Sequence, residues 1–305
     1  MIDAMDRDKL LSQCHKLAKA YQVEDGEGFR LACVDPDDTL HLQRDDKAMA
    51  TQRLSEGTSL LAEFQERLYA QDRWGVLLIF QAMDAAGKDG TIKHVMSGVN
   101  PQGCQVTSFK APTATELDHD YLWRCQQALP ERGRIGIFNR SYYEETLIVR
   151  VHPELLQKQQ LPPSLLGNDI WKQRCRDIRN FEEYLSNNGF VVLKFFLHVS
   201  RKEQKRRFLE RLDNPDKNWK FSLGDIHERA HWDAYMTAYE EMIQRTARPS
   251  APWHVVPADN KWFTRIVVAA SIIDAMARLD LRIPHLGEEA RRQLEEGRRL
   301  LLAED

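Results

Sequence analysis

Residues Gly75 to Val95 read GVLLIFQAMDAAGKDGTIKHV: an aliphatic run, a turn of small residues ending in Gly87-Lys88, and a segment of helical character. Val76 to Phe80 is short and free of Gly and Pro, which suits a strand buried on both faces of a parallel sheet. Ala85, Ala86 and Gly87 would let backbone N–H groups approach an anion, and Lys88 would add a positive charge at a helix N-terminus. Measured against the phosphate-loop pattern GxxxxGK[ST], the stretch departs twice. Ala82 stands at the first Gly, and Asp89 replaces the hydroxyl residue that usually binds magnesium. Any metal here must therefore draw on a carboxylate, Asp84 or Asp89, because magnesium prefers hard oxygen ligands. The competing reading is a strand-turn-helix corner whose small residues only permit tight packing.

Outward from the loop, apolar runs alternate with helical patterns. Cys104 to Phe109, Arg134 to Phe138, Phe190 to Val199 and Trp253 to Asp259 are strand-like. Between them, the patterns predict helices over Thr91 to Val99, from the Thr113/Glu116 capping box to about Leu129, from Ser141 towards Val149, and over Asp169 to Asn187. Further helices are expected over Arg201 to Leu212, Asp225 to Thr246 and Trp262 to Leu279. This alternation implies right-handed crossovers and a mostly parallel sheet covered on both faces, with ligands at the carboxyl ends of the strands. Residues 1–74 form an N-terminal helical extension, with helices near Arg7 to Tyr21 and Lys47 to Ala70 and a polar, irregular stretch over 35–47. Residues 75–286 form the α/β domain, and 287–305 a charged amphipathic helix suited to docking or oligomerisation.

Composition narrows the class. A chain of 305 residues with 42% hydrophobic and 29% charged content lies near globular averages, so it can bury a full core. A net charge of −3 and a pI near 6.4 argue against a general nucleic-acid or membrane-surface binder, so any polyanion site must be a local basic cluster. The five cysteines are scattered without CxxC pairing, which suits reduced thiols. No signal-peptide h-region or membrane-length run is present, and a cytoplasmic location is expected.

Three constellations carry chemistry. In IFNRSYYEE (Ile137 to Glu145), Asn139 is a neutral oxygen ligand and Arg140 a bidentate phosphate binder, or else a loop cap and a surface arginine. The basic run from Lys202 to Lys220 precedes Asn218-Trp219-Lys220-Phe221 in a turn-rich connection. That arrangement fits a mobile lid closing over phosphates, with Lys220 and Arg229 as contacts, or a solvated helix face. His227-Glu228-Arg229-Ala230-His231 has the HExxH spacing of zinc peptidases, but it lacks a third ligand and places Arg229 inside the site. Polar surface histidines are the preferred reading.

Taken together, five blocks resemble the polyphosphate kinase 2 family: MDAAGKDGTIKHVMSGVNPQG (Met83 to Gly103), LPERGRIGIFNRSYYEE (Leu129 to Glu145), RVHPELL (Arg150 to Leu156), NWKFSLGD with ERAHWDAYMTAYE (Asn218 to Glu240), and APWHVVPADNKWFTR (Ala251 to Arg265). They occur in family order, the likeness runs from about Phe29 to Pro284, and Asp89 in the loop is itself a family feature. The resemblance implies a thymidylate-kinase-like P-loop kinase fold of three layers with a helical lid over about 201–246. It also implies phosphoryl transfer from inorganic polyphosphate to nucleotides (AMP, ADP, ATP), dependent on magnesium with manganese as a substitute. By this likeness Asp84, Lys88 and Arg140 are catalytic, with Asp84 and Asn139 at the metal. Ala85, Ala86, Gly87, Lys88, Asp89 and Gly90, with Thr91 and Lys93 beside them, cradle phosphate, and Lys220 and Arg229 act from the lid. Asn139, Ser141, Tyr142 and Glu144 lie on the nucleotide side. The Tyr142-Tyr143-Glu144-Glu145 ending resembles the branch acting on both nucleoside mono- and diphosphates, and a homo-oligomer without nucleic-acid or membrane partners is expected. An ATP-dependent small-molecule or nucleotide kinase and a non-catalytic polyphosphate-binding module are the alternatives.

Overall fold

The computed structural model describes residues 4–40, 42, 47–167 and 169–304. The irregular stretch expected over 35–47 falls partly on 41 and 43–46, which lie outside the described residues, as do 1–3 and the last residue, 305, of the expected C-terminal helix. The chain opens with α1 (Ala4–Ala20), the two-residue strand β1 (Gln22–Val23) and the long helix α2 (Lys47–Gln71). It then enters the sheet at β2 (Gly75–Gln81), whose seven residues are all buried, as the aliphatic run predicts. After α3 (Lys88–Val95) come β3 (Cys104–Ser108), α4 (Ala114–Leu117), α5 (Trp123–Gln127), β4 (Ile135–Asn139), α6 (Ile148–Val151) and α7 (Ile170–Asn187). The second half runs through β5 (Phe190–His198), α8 (Arg201–Asp213), α9 (Leu223–Glu228), α10 (Trp232–Thr246), β6 (Trp253–Pro257), α11 (Lys261–Ala277) and α12 (Glu288–Leu301).

The six strands lie in the order β1-β6-β5-β2-β4-β3. Five are parallel, and the edge strand β1 pairs antiparallel with β6, an addition the sequence pattern does not announce because two residues show no periodicity. β2 is central, with Val76 opposite Ile135 of β4 on one side and Val191 of β5 on the other. The chain builds β3 and β4 on one side of β2, then crosses to build β5 and β6 on the other. The strand order therefore reverses at β2, and the crevice beyond its carboxyl end is where open α/β sheets bind ligands. α1 and α2 pack on α11. No helix among the described residues is long and apolar enough to cross a membrane.

Three expected helices are corrected. The segment after Thr113 keeps its capping box, but the helix stops at Leu117. Asp120 accepts the Leu122 N–H at 2.9 Å, a side-chain bond that competes with helix continuation, and a separate helix restarts at Trp123. Ser141 leads into a 3₁₀ turn over Tyr142–Thr146, not one helix to Val149. The helix expected over Asp225 to Thr246 is broken by a 3₁₀ turn at Arg229–His231. That turn interrupts the helical spacing of His227 and His231, and Glu228 is already engaged by His152 at 3.0 Å and the Tyr235 hydroxyl at 2.7 Å.

Candidate active site

The loop between β2 and α3 is bent by two residues in left-handed conformation, Ala85 (φ 60) and Gly87 (φ 109). The second needs glycine, and the first holds a strain that costs roughly 1–2 kcal/mol in an L-residue. Gly87 is the N-cap of α3 and supplies no side-chain acceptor, so the first N–H groups of the helix are left for a ligand. Lys88 is buried and donates to the Ala82 carbonyl at 2.8 Å; burial foremost lowers its pKa, and the nearby Arg140 charge adds to this.

At the end of β4, the Arg140 N–H donates to the Phe80 carbonyl at 3.0 Å, so the chain stays fastened to β2 one residue past the strand. There Arg140 adopts φ 65 and turns its guanidinium to Asp84 Oδ1 at 2.7 Å and Glu144 Oε2 at 3.3 Å. Glu144 first, then Asp84, hold this group firmly protonated against the opposing effect of burial. Asn139 donates from Nδ2 to Asp89 Oδ1 at 2.7 Å. Ser141 caps the turn by accepting the Tyr143 N–H at 3.1 Å, and the Gln81 amide, once turned over so that its oxygen accepts the Ser141 N–H at 3.0 Å, donates to Glu144 Oε1 at 2.8 Å. Tyr142 lies beneath, its hydroxyl donating to Glu182 at 3.0 Å.

These residues border two cavities. One, about 740 Å³, is lined by nine basic and four acidic side chains; Asp84, Ala85, Gly87, Lys88, Asp89, Gly90, Thr91, Asn139, Arg140 and Lys220 are among its walls. The other, about 350 Å³, has four basic and four acidic side chains among apolar walls such as Leu117, Tyr121, Ile148 and Val149, and it includes Ser141, Tyr142 and Glu144. Arg140, Phe109 and Lys110 line both. Ala86, Lys93 and Arg229 line neither: the Ala86 carbonyl faces Arg207, Lys93 is exposed on α3, and Arg229 donates to Gln204 and the Arg201 carbonyl.

Sequence reasoning left several neighbours without a role. Arg207, within the basic run, is buried and donates to the carbonyls of Ala85, Ala86, Ala258 and Asp259, tying α8 to the loop from below. Lys261 and Arg265, one helical turn apart on α11, line the larger cavity, and Arg265 Nε has no hydrogen-bond partner among the described residues. Their signal was their place just after the carboxyl end of a strand, the position that singles out Arg140. Asp225 faces the same cavity, and its pKa is raised by burial first and by the Asp84 charge second.

The donor chemistry fits a divalent ion. Asp84, Asp89 and Asp225 offer hard carboxylate oxygens across one cleft, and the Asp84 charge on Asp225 is one a cation would relieve. No group of three His, Cys, Asp or Glu among the described residues forms a ready-made metal cage.

Comparison with known proteins agrees. The profile of the family described as Polyphosphate kinase 2 (PPK2) matches residues 43–283. The chain is 54% identical over 243 residues to the ADP-polyphosphate phosphotransferase of Rhodopseudomonas palustris, covering 79% of this chain and 84% of that one. It is 43% identical over 266 residues to the AMP/ADP-polyphosphate phosphotransferase of Meiothermus ruber, covering 87% and 95%. Among solved structures, Polyphosphate Kinase 2 from Arthrobacter aurescens superposes with a TM-score of 0.83 at 41% identity, over 92% of this chain and 96% of that one. With more than half its length matched by the profile, and with relatives this similar along most of their own length, the chain belongs to the polyphosphate kinase 2 family.

Proposed function

We propose that this chain is a magnesium-dependent phosphotransferase that moves the terminal phosphoryl group of inorganic polyphosphate to AMP and to ADP, with the sheet and its loop read as a P-loop kinase fold. The observation that carries the reading is the pair of unlike cavities meeting at Arg140. A chain of bare phosphates needs cations, which the larger cavity offers in its nine basic side chains. A nucleoside needs apolar and aromatic surface with a few polar groups, which the smaller one offers. Relatives whose names include AMP or ADP as acceptor support the two acceptors.

In this reading an oxygen of the acceptor phosphate attacks the terminal phosphorus of polyphosphate. A new P–O bond forms as the bridging P–O bond breaks, and the shortened chain leaves with the electron pair. The acceptor is already an oxyanion, so alignment and charge neutralisation do the catalysis and no general base is needed. Lys88 and the open N–H groups of α3 hold the donor end, and Arg140, in both cavities, bridges donor and acceptor. Asp84 and Asp89 would hold magnesium, or manganese in its place, with Asn139 fixing Asp89. Bound there, the ion would neutralise charge on the phosphate oxygens. Lys220 closes from a lid over 201–246 within a catalytic unit of residues 75–286, on which 1–74 packs and beyond which 287–305 extends.

Incubation with polyphosphate, magnesium and AMP, followed by nucleotide chromatography, should yield ADP and then ATP. Failure to form either, with turnover of ATP and a small-molecule acceptor instead, would overturn the donor assignment.

A further inference from the structure

We infer that Glu182, fixed in place by Lys194, is a positioning residue: its carboxylate holds Tyr142 and Tyr143, and through them keeps Arg140 in the wall between the two cavities. The inference deepens the phosphotransfer reading and rests on it for the meaning of that wall. Tyr143, Glu182 and Lys194 line neither cavity, so contact with a substrate does not account for them.

The four side chains meet in the interior, each at most 2% exposed. Glu182 Oε1 accepts both tyrosine hydroxyls, from Tyr143 at 2.7 Å and from Tyr142 at 3.0 Å, and Oε2 accepts from Lys194 Nζ at 2.6 Å. Lys194 also donates to the Tyr143 hydroxyl oxygen at 3.1 Å and to the Thr246 carbonyl at 2.8 Å, so an ammonium with three protons has three acceptors. Trp253 Nε1 in turn donates to Thr246 Oγ1 at 2.9 Å. The network thus ties α7, β5, the end of α10 and β6 to the 3₁₀ turn over Tyr142–Thr146. Burial first, and the Glu182 charge after it, raise the pKa of both tyrosines well above the usual value, so the hydroxyls stay donors.

A buried ion pair is a poor device for stability alone, since apolar residues of similar volume often serve as well or better. What this one supplies is placement. Arg140 has a left-handed φ of 65, a conformation that an arginine keeps only where its neighbours over-determine it. Upstream, its own N–H is fastened to the Phe80 carbonyl at 3.0 Å. Downstream, Ser141 is extended and the next two residues are the tethered tyrosines. Glu144 follows at once and takes the Arg140 guanidinium at 3.3 Å. The rings also pack edge-on, Tyr142 to Phe181 at 5.7 Å and Tyr143 to Trp253 at 4.8 Å. Ring packing tolerates a slide that two hydroxyl bonds to one carboxylate oxygen do not.

Tyr142→Phe/Tyr143→Phe, made in the full chain, removes the tethers and leaves both rings and the ion pair. With polyphosphate and AMP, kcat should fall and the KM for AMP should rise, each about tenfold. The KM for polyphosphate should stay within about twofold, because Lys88 and the N–H groups of α3 hold that substrate. A mere loss of folded protein lowers kcat and leaves both KM values unchanged, and that result overturns the inference. Glu182→Leu/Lys194→Met removes both charges together, so no ion is left unpaired, and should repeat the rise in the KM for AMP. Glu182→Gln/Lys194→Met keeps an acceptor oxygen for the hydroxyls and should bring that KM back towards its starting value. Equal values in the leucine and glutamine versions also overturn it. A crystal structure of the double tyrosine variant reads the geometry without turnover: the Arg140 guanidinium should have left Asp84, and one still bonded there overturns the inference. If the unsubstituted chain does not use polyphosphate, the phosphotransfer reading falls by itself, and the same crystal structure still decides whether the tyrosines hold Arg140.

Discussion

Lys88 is enclosed by its own loop, with the Ala82 carbonyl at 2.8 Å as its hydrogen-bond acceptor, and burial lowers its pKa from the ordinary 10.5. A lysine whose folded pKa lies below its unfolded one contributes stability only above pH 10.5 and loses it as pH falls through the folded pKa. At neutral pH, where the unfolded lysine is charged, enclosing Lys88 is therefore a cost to the fold that a bound anion relieves. Lys88→Met should leave the melting temperature of the free protein level or higher, abolish the rise that polyphosphate induces, and cut turnover by roughly 100-fold or more. Calorimetry with and without polyphosphate, beside a turnover assay, reads all three. Asp84→Asn separates enzyme from binder: polyphosphate affinity should persist while turnover falls by about 10²–10³, since the amide keeps the shape beside Arg140 and removes only the charge. Equal loss of binding and turnover would move Asp84 from catalysis to donor binding.

The elements that hold these residues were unevenly legible. β2, β4, β5 and β6 announce themselves as aliphatic runs, and the capping box at Thr113 marks a real helix start. The helix breaks at Asp118–Leu122 and Arg229–His231 were hidden, because hydrophobic spacing persists across a turn made by one side-chain bond or a tightened backbone. Arg207 was hidden for another reason: six basic residues in the window Arg201 to Arg211 read as a solvated face, and nothing local shows which one turns inward. Its burial makes α8 part of the foundation of the loop between β2 and α3. Arg207→Lys keeps the charge, yet a single ammonium cannot reproduce a planar fork serving four carbonyls. Unfolding in urea should show a loss of about 2 kcal/mol. The Michaelis constant for polyphosphate should rise, because loosening the loop disturbs the N–H groups at the start of α3.

For the whole molecule, the two cavities sharing Arg140 would, in the proposed reading, hold both substrates on one protein at once, the smaller one being a nucleoside-sized space beside the basic cleft. Initial-rate plots against polyphosphate and AMP should intersect, as a ternary complex requires; parallel lines would indicate a phosphorylated enzyme and exclude direct transfer. Global stability has its own pH signature, set in the sheet. His198 on β5 and His254 on β6 are buried, each with an Nδ1 that has no hydrogen-bond partner among the described residues, and burial lowers their pKa to about 4 and about 3 from 6.5. Because the folded state resists a proton the unfolded chain accepts, their contribution is fully present above pH 6.5. It is lost as pH falls from 6.5 towards 4 and 3. Between pH 6.5 and 5 the two together should lose about 3 kcal/mol, before carboxylates held low by ion pairs, such as Glu241, begin to protonate. Glu145 and Asp225, whose carboxyls burial raises, act in the opposite sense and blunt the slope. His254→Phe keeps a ring against Phe195, which stacks on the histidine at 5.2 Å, and removes one titrating group. Urea midpoints measured from pH 7 to 5 should fall about half as steeply in that variant, and an unaltered slope would assign the acid sensitivity to the carboxylates instead.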